Sequence, residues 1–446
     1  MNKIEIMKHY FKTKYLRKFK TRKQLEHYQK IQMKKHMEFV FKHSAFYREF
    51  YQAKITHFDG NLEHLPIISK REMMENFNTL NTANMNKDQA YQLALEAEKT
   101  RDFSPKLNGI SIGLSSGTSG NRGIFLISDK ESAKWVGTVL AKLLPGHLFE
   151  RHKIAFFLRA NNNLYSSTEN GRITFHYFDL LDEFASHQEK LNDLQPTIII
   201  GPPSFLRLLA EWQEQKIINV TPSKIVSVAE VLEDLDKYYI ENIYNQKLHQ
   251  VYQSTEGFLA ATCSHGTLHM NEDIVMIHKE YLDEAKGIFV PIISDFTRTT
   301  QPIIRYRLND ILIESKTSCP CGSPYLALER IDGRCDDLFW GLKNTSSDIC
   351  TLFPDFIRRA IMFASDKIVE YKVIQVDMLN INIQLKVNGQ LEEVKEDVRA
   401  EMVKLWKSYE LIIPSFSFLT YDLKPSDKKL KRIESLIKEN HHDQNV

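Results

Sequence analysis

No stretch of this chain approaches the ~18 consecutive apolar residues that a helix needs to cross a bilayer, so its 446 residues contain no expected membrane span. The early lysines have no apolar core behind them. A secretory signal is therefore not expected, and the expected location is cytoplasmic. Net charge is almost absent, since 59 Lys and Arg against 57 Asp and Glu leave +2. That balance predicts neither a nucleic-acid binder nor an acidic-tail protein. The five cysteines are few and odd in number, which argues against a disulfide framework. Internal repeats and low-complexity segments are also missing.

What remains is the composition of a soluble globular protein, too long for one simple core and suited to a large domain plus a smaller one. Charge is uneven in one place. Residues 1–35 hold twelve Lys and Arg against only Glu5 and Glu26, with Tyr10, Phe11, Tyr15, Leu16 and Phe19 among them at roughly helical spacing. Two readings fit such a basic amphipathic helix. It touches an anionic membrane surface, or it is a solvated face whose aromatic stripe packs on the main domain.

The first hundred residues read as mostly helical, with a capped helix start at Ser69 ahead of Glu72. From about residue 110, short apolar runs end in polar or glycine-rich residues, as at 153–158, 197–200, 224–228 and 248–252. Helical segments at 204–212 and 232–244 fall between them. This alternation predicts an α/β architecture whose ligands gather beyond the carboxyl ends of the strands. Past residue 341 the pattern changes to strands at 367–376 and 380–387, a helix at 391–409 and a strand at 414–421. The expected fold is thus α/β: a large multi-layered N-terminal domain, residues 1–335, and a small mobile α+β C-terminal lobe, residues 336–446.

The strongest chemical signal is S-I-G-L-S-S-G-T-S-G-N-R-G at 111–123. Glycines let a backbone approach a polyphosphate closely, and hydroxyls with amide N–H groups supply donors to its oxygens. No G-K-[ST] follows, so it is not a Walker loop. A Ser/Gly-rich loop can also be a flexible linker, but apolar runs on both sides favour a hairpin-like phosphate cradle. Four motifs follow in order: S-V-A-E-V-L at 227–232, Y-Q-S-T-E-G at 252–257, R-Y-R-L-N-D at 305–310 and D-G-R-C-D-D at 332–337. Each alone is weak, because an acidic residue at a strand end is usually a solvated cap. Their order as a set is specific.

The set resembles the adenylate-forming superfamily of acyl-CoA ligases, peptide-synthetase adenylation domains and luciferases, and most of all its phenylacetate–CoA ligase branch. The likeness covers about residues 35–435 and includes F-V-F-K-H-S-A-F-Y at 39–47, similar to an early helix of that branch, and G-T-L-H-M-N-E-D at 266–273. It implies ATP-dependent activation of a carboxylic acid, of aryl or acyl type, as its acyl-adenylate. Transfer to a thiol such as coenzyme A, or to an amine, would follow. Ser115, Ser116, Gly117, Thr118, Ser119 and Gly120 would hold the β- and γ-phosphates. Glu256 would bind Mg²⁺, Thr255 would contact the α-phosphate, Ala229 and Glu230 would lie along the adenine, and Tyr252 would also bind the nucleotide. Asp310 would accept from the ribose hydroxyls with Arg334 nearby, and Asp336 would be the hinge of the small lobe. S-D-K-K-L-K-R-I at 426–433 is similar to the branch's S-E-G-K-x-x-R-V. That picks out Lys429 as the catalytic lysine, although Lys428 replaces the usual glycine and leaves the register open by one.

Two departures matter. Residues 338–349 form a longer loop, rich in Asn, Ser and Thr, where a pantetheine arm would pass, which puts coenzyme A in doubt as acceptor. Leu308 and Asn309 replace the usual Thr-Gly before the ribose aspartate. Alternatives therefore stay open: an adenylate-forming enzyme with an amide or AMP-modified product, or a non-catalytic relative. A homodimer is also left open, and no nucleic-acid partner is expected.

Cys263 with His269, and Cys319 with Cys321, are close pairs about fifty residues apart. Cys₃His is a common structural zinc set, and similar pairs in the branch suggest the same here, with His265 as a rival for the fourth position. The alternative is two unrelated pairs of reduced thiols. Cys335 and Cys350 read as unpaired.

Overall fold

The computed structural model describes residues 2–52, 61–100, 102–115, 122–158, 172–180, 184–346, 348–421 and 431–437. The chain forms two compact units, Met1–Leu308 with Leu312–Arg330, and Asn309–Ile311 with Ile331–Val446.

In the first unit the opening segments are helical: Lys3–Phe11, Arg22–His43, Ala45–Gln52, Lys70–Glu75, Phe77–Leu80 and Lys87–Thr100. The helix Lys70–Glu75 starts at the expected capping box, Ser69 serving as cap and Glu72 returning to the Ser69 amide. The segment 39–47 is not one helix. Ser44 is extended and its hydroxyl accepts from the Tyr47 amide, so the chain turns and starts again. A serine there offers the backbone a local alternative to continued helix.

The centre of this unit is a sheet of which ten strands, among the described residues, lie wholly within it. Five are parallel, in the spatial order Leu248–Gln253, Lys224–Ser227, Ile198–Gly201, His152–Leu158 and Ile173–Asp179. Ile198–Gly201 and Lys224–Ser227 are buried throughout. Such continuous apolar burial is expected of parallel strands covered on both faces. The cover includes helix Asp129–Leu143, packed with Ile154, Phe156, Ile198 and Ile200, and helix Pro203–Glu214, packed with Ala155, Phe157 and Ile199. The sheet continues antiparallel from Leu248–Gln253 into Phe258–Thr262 and then Leu268–Met270. A separate hairpin, Ile110–Leu114 against Ile124–Ser128, frames the Ser/Gly-rich loop.

The second unit contains a four-stranded sheet ordered Ser415–Thr420, Asn380–Val387, Ile368–Asp377, Ile433–Ser435. Helices Pro354–Ala364 and Leu391–Ser408 bury Ile357, Ile361, Val394, Val398, Met402 and Trp406 in a core shared with that sheet. Residues 338–349 differ from the loop expected of them. Phe339–Leu342 pairs with Ile349–Leu352 as a hairpin, because Phe339 and Gly341 bury alternate positions while the polar residues occupy its turn.

Candidate active site

Strand Leu248–Gln253 ends in a tight turn in which the Ser254 amide donates to Gly257 O and the Gly257 amide to Ser254 O. The turn presents Thr255 and Glu256. The Tyr306 hydroxyl donates to Glu256 Oε1 at 3.2 Å. A side chain on Gly257 would press on Asp295 Oδ2, with Cβ at 3.0 Å, so glycine is what lets the turn approach the strand Ile288–Asp295.

Facing it is the base of the 110–128 hairpin. Ser115 closes that base: its amide donates to Gly123 O at 2.8 Å and its hydroxyl accepts from the Gly123 amide at 2.7 Å. Arg122 donates to Ser115 O at 3.0 Å while pairing with Glu98. Ser116, Gly117, Thr118, Ser119 and Gly120 lie outside the described residues. Lys70 reaches Ser115 Oγ at 3.3 Å from the first turn of its helix. Lys70, Ser115, Gly123, Thr255, Glu256, Arg298 and Gln301 thus line one cleft of about 270 Å³, counting the space open to solvent.

Buried polar groups hold the cleft's two walls together. Arg298, 7 % exposed, donates from Nη1 to Thr255 O at 3.2 Å and from Nη2 to Leu126 O at 3.1 Å. Gln301 acts like an added strand segment, accepting from the Leu126 amide and donating to Ile124 O. Glu131 accepts from the Thr299 and Thr300 amides. Burial opposes its charge, but Arg298 and the Ser128 and Thr300 hydroxyls outweigh burial and hold the carboxyl below its ordinary value. Asp295 is pushed upward by burial, against Thr297 and Arg298.

The remaining expected positions are distributed as follows. Ala229 and Glu230 follow strand Lys224–Ser227. Ala229 has φ +71°, a left-handed conformation rare for alanine, and Glu230 accepts from Ser204 Oγ at 2.7 Å. Tyr252 is buried within its strand, opposite Ala260. In the second unit, Arg334 Nε lies 3.5 Å from Asp310 Oδ1. Asp336 sits in a short 3₁₀ turn, Cys335–Asp337, whose Asp337 accepts from Lys431 Nζ at 2.8 Å. Lys428 and Lys429 lie outside the described residues. Sequence reasoning missed Lys70, Arg298, Glu131 and Gln301. Only the T-R-T-T-Q run just ahead of R-Y-R-L-N-D offered a signal for two of them.

The two cysteine pairs meet. The ligand atoms of Cys263, His269, Cys319 and Cys321 lie within 4.8 Å of one another. Gly266 and Gly322, with φ of +84° and +67°, close the turns that expose the thiols. Cys263 Sγ is 3.6 Å from Cys319 Sγ, and Cys321 Sγ is 3.4 Å from His269 Nε2. A tetrahedron with metal–sulfur bonds of ~2.3 Å has edges of ~3.8 Å, so the donor set fits a tetrahedral ion. His269 Nδ1 lies 3.3 Å from Tyr325 O, an outer partner that directs Nε2 toward the thiols. Burial opposes ionisation of Cys319, yet donors from Thr267, the Cys321 amide and His269 bring it below the ordinary thiol range. Cys321 is pushed upward by burial and by its neighbouring sulfurs, a repulsion that a bound cation relieves. His265 lies outside the cluster, donating only its backbone amide to Cys263 Sγ. Cys335, buried in its turn, and Cys350 are in no disulfide.

No family profile matches the chain. A 209-residue stretch is 26% identical to Protein CapK of Staphylococcus aureus, covering 46% of this chain and 45% of that protein. A 216-residue stretch is 26% identical to indoleacetate–lysine synthetase of Pseudomonas savastanoi, covering 45% and 52% respectively. The chain spans about half the length of the curated relatives it matches. Among solved structures, 2-hydroxyisobutyryl-CoA ligase in its postadenylation state superposes with a TM-score of 0.66 over 93% of this chain and 89% of that one, at 14% identity. The fold is that of the adenylate-forming ligases.

Proposed function

With that fold as premise, we propose that this chain is an ATP-dependent, AMP-forming enzyme that converts a carboxylic acid to its acyl-adenylate and then passes the acyl group to an acceptor. The observation that carries the reading is the single cleft into which Lys70, Ser115, Thr255 and Glu256 project, beyond the carboxyl end of a parallel strand and at the base of the Ser/Gly-rich loop.

The chemistry brings together two anions, so positioning and charge neutralisation supply most of the acceleration. A carboxylate oxygen attacks the α-phosphorus, the bond to the β-phosphate breaks, and pyrophosphate leaves. Ser115 and the loop after it hold the β- and γ-phosphates, and the Lys70 ammonium offsets their charge. Thr255 donates to the α-phosphate. Glu256, oriented by the Tyr306 hydroxyl, would hold Mg²⁺, which favours carboxylate and phosphate oxygens and would draw charge from the polyphosphate. Ala229, Glu230 and Tyr252 border the adenine, and Asp310 with Arg334 takes the ribose. Lys429 supplies a cation to the carboxylate and α-phosphate, and Asp336 is the hinge of a small lobe beginning at residue 336. In the second step the acceptor attacks the acyl carbon, its proton is lost, and AMP departs. Cys263, His269, Cys319 and Cys321 would hold a structural zinc that contributes folding energy rather than chemistry.

For the acceptor, a thiol such as coenzyme A is the first reading. An amine is the second, favoured by the hairpin at 339–352 in place of a short loop and by the likeness to an indoleacetate–lysine synthetase. A screen of aryl and acyl acids for ATP–pyrophosphate exchange tests the proposal. Exchange with at least one acid is expected, and its absence across both classes, in folded metal-replete protein, contradicts it. No described helix is long and apolar enough to cross a membrane.

A further inference from the structure

The basic N-terminal segment is docked rather than trailing. Ile6 and Tyr10 are buried with Ala133, Val136 and Leu140 of helix Asp129–Leu143. A Cβ at Gly137 would lie 2.5 Å from Ile6 O, so only glycine admits this close approach. Arg17 and Lys142 meet the buried Asp273, and Arg22 meets Glu272 at 2.7 Å. These contacts fix which side of the segment faces outward.

That outward side is apolar. Along helix Lys3–Phe11 and the π-helical turn Lys12–Leu16, the residues Ile4, Met7, Phe11 and Tyr15 recur at three- and four-residue intervals, which puts them on one stripe. All four are exposed, Ile4 by 74 %, and Leu16 at the end of the turn by 76 %. The Phe11 and Tyr15 rings stack at 5.8 Å. Lys3, Lys8, Lys12, Lys18 and Lys20 are exposed along the same segment, where Glu5 is the single acidic residue. The burial of Ile6 and Tyr10 accounts for one face of this segment. The Phe11 and Tyr15 rings also meet the edge of Tyr10, while Ile4, Met7 and Leu16 stay exposed beside the lysines.

We propose that this stripe is a docking surface for an anionic lipid bilayer, independent of the adenylation chemistry. The charge selects the occupant. A row of lysines complements acidic headgroups, and their methylene stems follow the apolar stripe while the ammonium groups reach the phosphates. Phe and Tyr with Ile, Met and Leu supply the part that enters the headgroup–acyl boundary. The two contributions add, because binding scales with buried apolar area plus electrostatic attraction to anionic lipid.

The test is co-sedimentation of the full chain with phosphatidylcholine vesicles, with and without phosphatidylglycerol. Binding is expected only with phosphatidylglycerol, and it should weaken at high salt as the Debye length shortens. Lys3→Gln, Lys8→Gln and Lys12→Gln together should weaken it about 100-fold, taking roughly five-fold per lysine near the surface. Ile4→Ser, Met7→Ser and Leu16→Ser together should abolish sedimentation while thermal unfolding changes little, since all three are exposed and none makes a ring contact with Tyr10. The single change Leu16→Ser repeats the measurement with less risk to the helix. Three results overturn the proposal: no binding to phosphatidylglycerol vesicles, unchanged binding by the apolar variant, or a concentration-dependent dimer that the apolar variant abolishes. The last assigns the stripe to a second copy of the chain.

Discussion

Replacing Arg298 with methionine removes the cation that spans the walls of the cleft. Its guanidinium is the donor to both Thr255 O and Leu126 O, and it is buried. Methionine occupies similar space, so the loss is electrostatic rather than a cavity. Two main-chain carbonyls lose donors, and the buried carboxylates of Glu131 and Asp295 lose a neighbouring positive charge. Hydrogen bonds from a charged donor are worth about 1.5–3 kcal/mol each. Breaking a buried charge network from one side costs about 3–5 kcal/mol. These figures describe the same loss from two directions and are not added, so we expect a destabilisation of about 3–5 kcal/mol. Urea unfolding at neutral pH, followed through the transition of the first unit, measures it. Freeing the Thr255–Glu256 turn should also lower ATP–pyrophosphate exchange about 100-fold under conditions where the variant is folded, as a displacement near 1 Å does. Arg298→Lys keeps a charge but lacks the fork that reaches two carbonyls. It should regain part of the stability and little of the exchange. An Arg298→Met protein within about 0.5 kcal/mol of the parent, the range of an ordinary surface change, and with full exchange would refute this reasoning.

Three further outcomes are expected. Elemental analysis of purified protein should find one zinc per chain, and Cys321→Ser should lose both the metal and thermal stability; metal-free protein with unchanged stability in the variant removes the zinc assignment. Stability should fall in mild acid. His36 is pushed down to about 3 by burial and Lys134, and His278 to about 4 by burial and Arg305, from an ordinary 6.5. The unfolded chain therefore binds more protons below about pH 6.5, so stability is complete above that value and is lost as pH falls toward 4. The urea midpoint should drop between about pH 7.5 and pH 5, and His36→Leu should flatten the drop; a flat profile in the parent contradicts the assignment. Lys429→Ala should form acyl-adenylate a few hundred-fold more slowly in single turnover, as losing a preorganised charge of ~3–4 kcal/mol implies, while ATP binding changes little. If Lys428→Ala is the slow variant instead, the register is shifted by one; if neither is slow, no lysine of this pair is catalytic.

Four of the five parallel strands were legible because each is a short apolar run closed by polar residues, whereas Ile173–Asp179 interleaves Thr, His and Tyr with its apolar residues. The structure puts strands at His152–Leu158, Ile198–Gly201, Lys224–Ser227 and Leu248–Gln253 where those runs lie. Single elements past residue 341 were legible for a similar reason, such as the strand Asn380–Val387 and the helix Leu391–Ser408. Cysteine pairing was visible because soft ligands are rare in this chain, so two close pairs stand out. What stayed hidden depends on long-range contact. Lys70 looks like any first-turn helix residue until the hairpin brings Ser115 to it. Arg298 and Glu131 are 167 positions apart and meet only through the sheet, whose antiparallel half leaves no distinctive spacing. The hairpin at 339–352 was read as loop because its turn is rich in Asn and Ser, while its buried side comes down to Phe339, Gly341 and Leu352.

In the proposed reaction the acid's own oxygen attacks the α-phosphorus. Once exchange has identified an acid and an acceptor, full turnover with that acid labelled by ¹⁸O in its carboxylate tests this step directly, because the oxygen joined to phosphorus leaves with the nucleotide. One ¹⁸O in the phosphate of AMP and unlabelled pyrophosphate are expected. Label in inorganic phosphate with release of ADP, or product formed with no label in AMP, would contradict it.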